Sequence, residues 1–387
     1  MAWGSVNIDE QRMRFVVSAS RREKPFVELC AEFQVSRPTG YEWLRRYQSG
    51  GMAAVREKSR RPHRSPEKTP TEIERRVIEL RQQRPDWGAR KLRVLLRDEH
   101  IDLPVITVHR ILLRHGLVRW QDQHAQAVGR FERSAPNQLW QMDFKSPIGW
   151  EAPIGPLSVQ DDHSRYVIAL QGTWSTQAGP VKEWLIESFE QCGMPEAMLM
   201  DHGTPWWNTK AAAGWTWLTV WLMKQGIRLH FSGYRHPQTQ GKVERFHGAM
   251  AAVMKRRGFP APQERQHWLN EFRWEYNHVR PHEALAMKTP ASVWQHSSRR
   301  YQEKPPAWEY EPGTEVRKLS AEGRVRVQGR TWEISRSLAG EWVQLIRIEQ
   351  RVLVYYCRSV VRELDLAAQR STSADRWATT PTPDRQL

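Results

Sequence analysis

The sequence predicts a multidomain α/β protein: N-terminal helical modules, a mixed-sheet core and a small C-terminal β-barrel. Three observations carry this. Helical periodicity dominates the first 120 residues. Three strands, helix, strand, helix, strand and helix then follow in order between residues 139 and 257. A run of short strands begins at residue 315. The chain has 387 residues, and at roughly 100–200 residues per domain it holds two to four domains.

Residues 8–56 read as a helix-turn-helix module. Phe26, Leu29, Cys30 and Phe33 recur at helical spacing. Ser36 is a good N-cap, Pro38 suits a first turn, and Tyr41, Leu44 and Tyr47 continue the apolar face. The small Cys30 stands where the two helices must approach closely. Arg37, Thr39, Tyr41 and Arg45 then lie on the second helix as candidate DNA contacts. Residues 57–70, rich in Arg, Lys, Ser and Pro, read as a basic linker. A second helical, winged-type module follows over 71–120.

The middle segment, 137–296, changes character. Strands are expected at 139–144, 157–160 and 166–170, a helix at 176–192, and a strand at 196–200. A Trp-rich helix at 211–225, a strand at 228–231 and a helix at 243–257 complete it. Residues 313–366 read as the small β-barrel and 367–387, rich in Ser, Thr and Pro, as a disordered tail.

Lys and Arg number 59 against 43 Asp and Glu, a net charge of +16. Residues 1–135 alone carry 27 basic and 17 acidic side chains. A surplus concentrated in the first third points to a polyanion, nucleic acid before an acidic membrane. Three separated cysteines, Cys30, Cys192 and Cys357, give no disulfide framework and no paired zinc ligands. The start of the chain is charged and lacks an apolar stretch of signal-peptide type. The most apolar run, 211–223, is short of the ~18 residues that suggest a membrane span. An intracellular location away from membranes is expected.

Three carboxylates stand out. Asp143 lies within the strand Trp140-Gln141-Met142-Asp143-Phe144, where a charge is costly unless solvated, paired or metal-bound. Asp201 ends a buried strand, and strand ends are where open α/β sheets place ligands. Glu244 starts a helix. If the first and fourth strands are neighbours, Asp143 and Asp201 meet at one edge and the helix can bring Glu244 across them. Oxygen donors alone suit Mg²⁺ or Mn²⁺, and two such ions can clamp both oxygens of an in-line phosphoryl displacement. Singly, each residue also has a structural reading: a solvated strand-end carboxylate, the start of an Asp-x-Gly turn, and a first-turn acid favoured by the helix dipole. Asp161 and Asp162 read as hairpin and hydrogen-bonding residues rather than a fourth ligand. Lys242, Arg245, His247 and Lys255 are candidate DNA contacts beside the site.

Leu139–Phe144 (LWQMDF), Asp161–Arg165 (DDHSR), His236–Gly248 (HPQTQGKVERFHG) and Tyr276–Pro290 (YNHVRPHEALAMKTP) resemble bacterial insertion-sequence transposases with a retroviral-integrase-like core. Val35–Tyr47 resembles their end-binding helix-turn-helix. The resemblance implies an RNase H-like core over 137–296, with Asp143, Asp201 and Glu244 as the DDE catalytic residues and ligands of two Mg²⁺ (or Mn²⁺) ions. It implies cleavage at transposon ends and transfer of the freed 3′-hydroxyl into target DNA, by a homo-oligomer in the bacterial cytoplasm. Three departures stand beside it. His202 follows Asp201 where the family usually has Asn. The 42 residues between Asp201 and Glu244 exceed the usual interval. Ala251 occupies the usual basic position two turns after Glu244, with Lys255 one turn further on the same face. The rival reading is a decayed copy that binds the ends as a regulator without cutting. A structure-specific nuclease on the same fold fits the helical modules less well.

Overall fold

The computed structural model describes residues 8–56, 69–118, 132–145, 154–208, 214–232, 241–258 and 260–373. The chain divides into two compact units, Met1–Pro70 and Thr71–Leu387.

The first unit packs three helices, α1 (Ile8–Ser20), α2 (Phe26–Glu32) and α3 (Arg37–Val55). Phe15, Val16, Leu29, Cys30 and Val55 form its core. The Ser36 side chain caps α3 by accepting from the Thr39 backbone N–H. Gly40 is where α3 meets α2. A Cβ there would lie 2.8 Å from Phe15 Cζ and 3.0 Å from Cys30 Sγ, so the close approach at Cys30 needs a glycine opposite it.

The second unit opens with α4 (Thr71–Gln83), α5 (Ala89–Asp98) and α6 (Val105–Arg114), packed around Val77, Leu80, Trp87, Leu92, Leu96 and Ile111. No strand occurs within 71–118, so no wing is seen among the described residues of this module. The module is tied to the core: Arg280 pairs with Asp86 at 2.7 Å and lies over the Trp87 ring. Arg280 is thus a packing residue.

The core sheet comprises β1 (Trp140–Phe144), β2 (Leu157–Asp161), β3 (Val167–Gln171), β4 (Ala197–Met200) and β5 (Arg228–Phe231), in the order β3-β2-β1-β4-β5. β1, β2 and β3 are antiparallel; β4 is parallel to both β1 and β5. Helices α7 (Ala178–Cys192), α8 (Trp217–Lys224), α9 (Gly241–Arg257), α10 (Arg265–His278) and the short α11 (Pro290–Val293) accompany it. α9 buries Val243, Phe246, His247, Met250, Val253 and Met254, the spacing of a single apolar stripe. Phe246, Met250 and Met254 meet Leu170, Leu269 and Phe272 of β3 and α10.

The Trp-rich helix is shorter than expected. Trp215 instead bridges Trp207 in extended backbone, and Gly214 at φ +67° lies flat against the Trp207 indole. The five C-terminal strands expected from sequence are β6 (Glu315–Lys318), β7 (Arg324–Val327), β8 (Arg330–Glu333), β9 (Trp342–Ile348) and β10 (Arg351–Tyr356). Two more, β11 (Ser359–Asp365) and β12 (Arg370–Ser373), follow them. β12 falls in the segment expected to be disordered. The strands do not close a barrel. They form an open sheet, β12-β11-β10-β9-β6, and a separate β7-β8 hairpin. This module shares one hydrophobic cluster with the core sheet. Trp215 joins them: its indole N–H donates to Val361 O at 3.1 Å, and its carbonyl accepts from Ser337 Oγ at 2.7 Å. No helix among the described residues is long and apolar enough to cross a membrane.

Candidate active site

β1 and β4 pair Trp140 with Met198 and Gln141 with Leu199. Continued by two residues, this parallel register sets Asp143 beside Asp201, on strands about 4.8 Å apart. On its other side Asp143 pairs with Ser158 of β2. α9 lies over these strand ends, with its buried stripe facing the sheet and Glu244 on the exposed flank of its first turn.

The charges report the convergence. The Asp143 carboxyl is pushed up to about 7, first by burial and then by the negative charge of Asp201, with Glu244 adding to it. The Phe144 N–H and Lys145 act in the opposite direction. Asp201 and Glu244 are therefore both near enough to oppose ionisation of Asp143.

Asp201 forms an Asx turn, its Oδ1 accepting the Gly203 N–H at 3.0 Å. A Cβ on residue 203 would sit 2.9 Å from Asp201 Oδ2, so Gly203 makes room for the carboxylate. His202, the departure noted in sequence, packs its ring against Trp207 and Phe231. Among the described residues, no three His, Cys, Asp or Glu side chains are gathered into a ready metal cage. The donor chemistry nevertheless fits a hard divalent cation. Asp143 lies within electrostatic reach of the Asp201 and Glu244 carboxylates, all oxygen donors, and carries excess negative potential that a cation would relieve.

Two residues expected on a DNA-facing surface are turned inward. Lys242 is 13% exposed and pairs with Asp162 Oδ1 at 2.6 Å. His247 is 4% exposed, because it lies within the buried stripe of α9. Its Nε2 lies 2.6 Å from Ser158 Oγ and its Nδ1 3.7 Å from Asp143 Oδ2. Burial lowers its pKa to about 3, so it is neutral at pH 7. His247 thus backs Asp143 from within the fold. Arg245 and Lys255 remain exposed, Lys255 on the same helix flank as Glu244. In the first unit Arg37, Tyr41 and Arg45 form an exposed row at four-residue spacing on α3. Thr39 is half-buried in the cap, bonded to Ser36 Oγ.

Asp161 and Asp162 are buried hydrogen-bond acceptors, as their turn position suggests. Asp161 takes the N–H groups of Asn137 and Ser164 and the Ser164 hydroxyl. Gln141 and Ser158 are neighbours of the candidate carboxylates that sequence reasoning missed. Only their spacing from the aspartates could have drawn attention to them.

Comparison with known proteins agrees with this architecture. An integrase core domain model matches residues 225–290, which include Glu244 and exclude Asp143 and Asp201. A homeodomain-like domain model matches 39–112, and a helix-turn-helix domain model matches 11–63. The chain is thus similar to proteins of bacterial insertion elements and carries stretches that match helix-turn-helix and integrase core domains. It is 25% identical over 223 residues to an uncharacterized 39.2 kDa protein of insertion element IS476 from Xanthomonas euvesicatoria, spanning 56% of this chain and 62% of that one. It is 24% identical over 224 residues to an uncharacterized 31.7 kDa protein of insertion element IS407 from Burkholderia multivorans, spanning 56% and 78%. The match thus covers less than two thirds of the IS476 relative. Among solved structures, similarity extends to a chain of the simian T-cell lymphotropic virus intasome in complex with PP2A regulatory subunit B56 gamma. Identity there is 16% and the TM-score 0.36, over 72% of this chain and 91% of that one. The HTLV-2 integrase catalytic core domain in complex with magnesium, in its trimeric form, gives 14% and 0.32, over 42% and 99%.

Proposed function

We propose that the chain is a DNA transposase that binds the ends of its element, cuts there and joins the freed 3′-hydroxyl to target DNA. The observation that supports this is the negative charge that two distant segments bring to bear on Asp143. The β1–β4 register sets Asp143 beside Asp201, and both Asp201 and Glu244 raise the Asp143 pKa. In this reading the three hold Mg²⁺ or Mn²⁺, two ions in all, which would stabilise charge on the attacking and leaving oxygens of an in-line displacement. The protein supplies no covalent nucleophile. Its own work is to hold the phosphodiester against the carboxylate edge, with Arg245 and Lys255 of α9 on the backbone. Arg37, Thr39, Tyr41 and Arg45 of α3 meet the terminal sequence. Joining needs two ends at once, so the working form is a multimer on DNA, inside the bacterial cell.

The test is joining of a labelled duplex carrying the flanking terminal repeat, with Mg²⁺ or Mn²⁺. Asp143→Ala, Asp201→Ala and Glu244→Ala run beside the parent. Metal-dependent joining by the parent and none by the variants is expected. Ala251, a methyl where a basic side chain is usual, favours a second reading: a regulator that binds the ends. Tight end binding with no cutting in either metal would select it.

A further inference from the structure

Two residues before Asp143 stands Gln141, and two residues before Glu244 stands Lys242. Both turn inward and meet the same oxygen. Gln141 Nε2 donates to Asp162 Oδ1 at 2.6 Å, and Lys242 Nζ lies 2.6 Å from that same Oδ1. Lys242 also donates to the Asp162 backbone carbonyl at 3.0 Å, and the other carboxylate oxygen accepts the Arg133 N–H at 2.7 Å. The Asp162 side chain is fully buried.

We propose that Asp162 is a positioning residue that sets the spacing between Asp143 on β1 and Glu244 on α9. The inference rests on the reading of those carboxylates given above. The apolar stripe of α9 fixes how deeply the helix sits, but contacts such as Phe246 and Met250 resist sliding and rotation only weakly. A buried, charged, multiply bonded contact is directional. Its best-attested use is to specify register at some expense in stability. Here it links the strand of one proposed ligand to the first turn of the helix bearing another. Asp162 touches no substrate and acts through Gln141 and Lys242.

The test uses the full chain with four variants: Asp162→Asn, Lys242→Met, the double Asp162→Asn/Lys242→Met, and Gln141→Met. Asp143→Asn serves as a ligand-loss control. Three quantities are read: the thermal midpoint in chelator, Mn²⁺ affinity by calorimetry, and end joining at matched end occupancy. Lys242→Met should lower the midpoint, because it strands a buried carboxylate. The double variant, with neither charge left, should recover much of it. The double variant and Gln141→Met should nevertheless bind Mn²⁺ about 10–100-fold more weakly and join ends correspondingly more slowly, the loss typical of outer-shell partners. End binding should be unchanged. Recovery of Mn²⁺ affinity along with the midpoint would make the cluster mere packing and overturn the proposal. Should the double variant fail to fold, parent-like Mn²⁺ affinity in Gln141→Met overturns it equally. If Asp143→Asn loses Mn²⁺ while every tether variant keeps it, only this inference falls. If the parent binds no Mn²⁺, the reading of the carboxylates falls and takes this inference with it.

Discussion

Replacing Asp143 with Asn should stabilise the metal-free protein by an amount that grows as pH rises from about 4 to about 7 and is constant above that. Burial, then the Asp201 charge, pushes the Asp143 carboxyl up to about 7 in the fold, from an ordinary value of 3.8. Between those values the folded chain holds a proton that the unfolded chain has released. Stability therefore falls as pH rises through the window from about 4 to 7, then levels off. About three pH units correspond to about 4 kcal/mol. The side chain keeps 22% of its exposure, and residual solvation reduces the expected gain to about 2–4 kcal/mol. Asn has nearly the shape of the protonated acid and cannot ionise. In chelator at pH 8 the variant should melt roughly 3–6 °C above the parent, at about 1.5 °C per kcal/mol for a unit of this size. At pH 4 the two should melt together. Equal melting at pH 8, or the same gain at both pH values, would refute a raised Asp143 pKa, and with it the burial and the neighbouring charge that raise it.

Gly203→Ala should sharply reduce joining with little change in melting, because its Cβ would press the Asp201 carboxylate oxygens at 2.9–3.0 Å; parent-like joining would show the turn to be tolerant. Gly40→Val should destabilise the first unit by about 1–3 kcal/mol through overpacking against Phe15 and Cys30. It should abolish end binding while leaving Mn²⁺ binding intact, and retained end binding would argue against α3 as the reading helix. Arg37→Ala and Arg45→Ala should each weaken end binding and reduce its salt slope by about one, read from titrations at several salt concentrations. Trp215→Ala should cost about 3–5 kcal/mol. The core sheet and C-terminal sheet should still melt in one transition, because the rest of their hydrophobic cluster is common to both; an unchanged midpoint would contradict the shared core.

Much of the second unit is legible in the chain. β1 to β5 begin and end within one or two residues of their expected bounds, because each is a short apolar run closed by turn residues. The sequence offers the approach of Asp143 to Asp201 only on the condition that the first and fourth strands are neighbours, and the β1–β4 pairing meets that condition. Other features depend on long-range contacts. β11 carries Arg362 and Glu363 at buried positions, where partners Ser371 and Arg351 satisfy them. Alternation alone therefore misses the strand. Barrel closure cannot be read from a count of strands, and here β6 and β12 stay unjoined edges of an open sheet. Lys242 and His247 look like surface residues until the buried stripe of α9 is known. The partner of Lys242 lies 80 residues away, beyond any local pattern.

The most direct test compares joining rates for Asp143→Asn, Asp201→Asn, Glu244→Gln and the triple variant on the same terminal-repeat duplex. Residues that act as one unit are strongly non-additive. The account predicts that each single variant falls to the level of the triple. A single variant that keeps the parent's rate, or losses that multiply independently, would contradict a shared site.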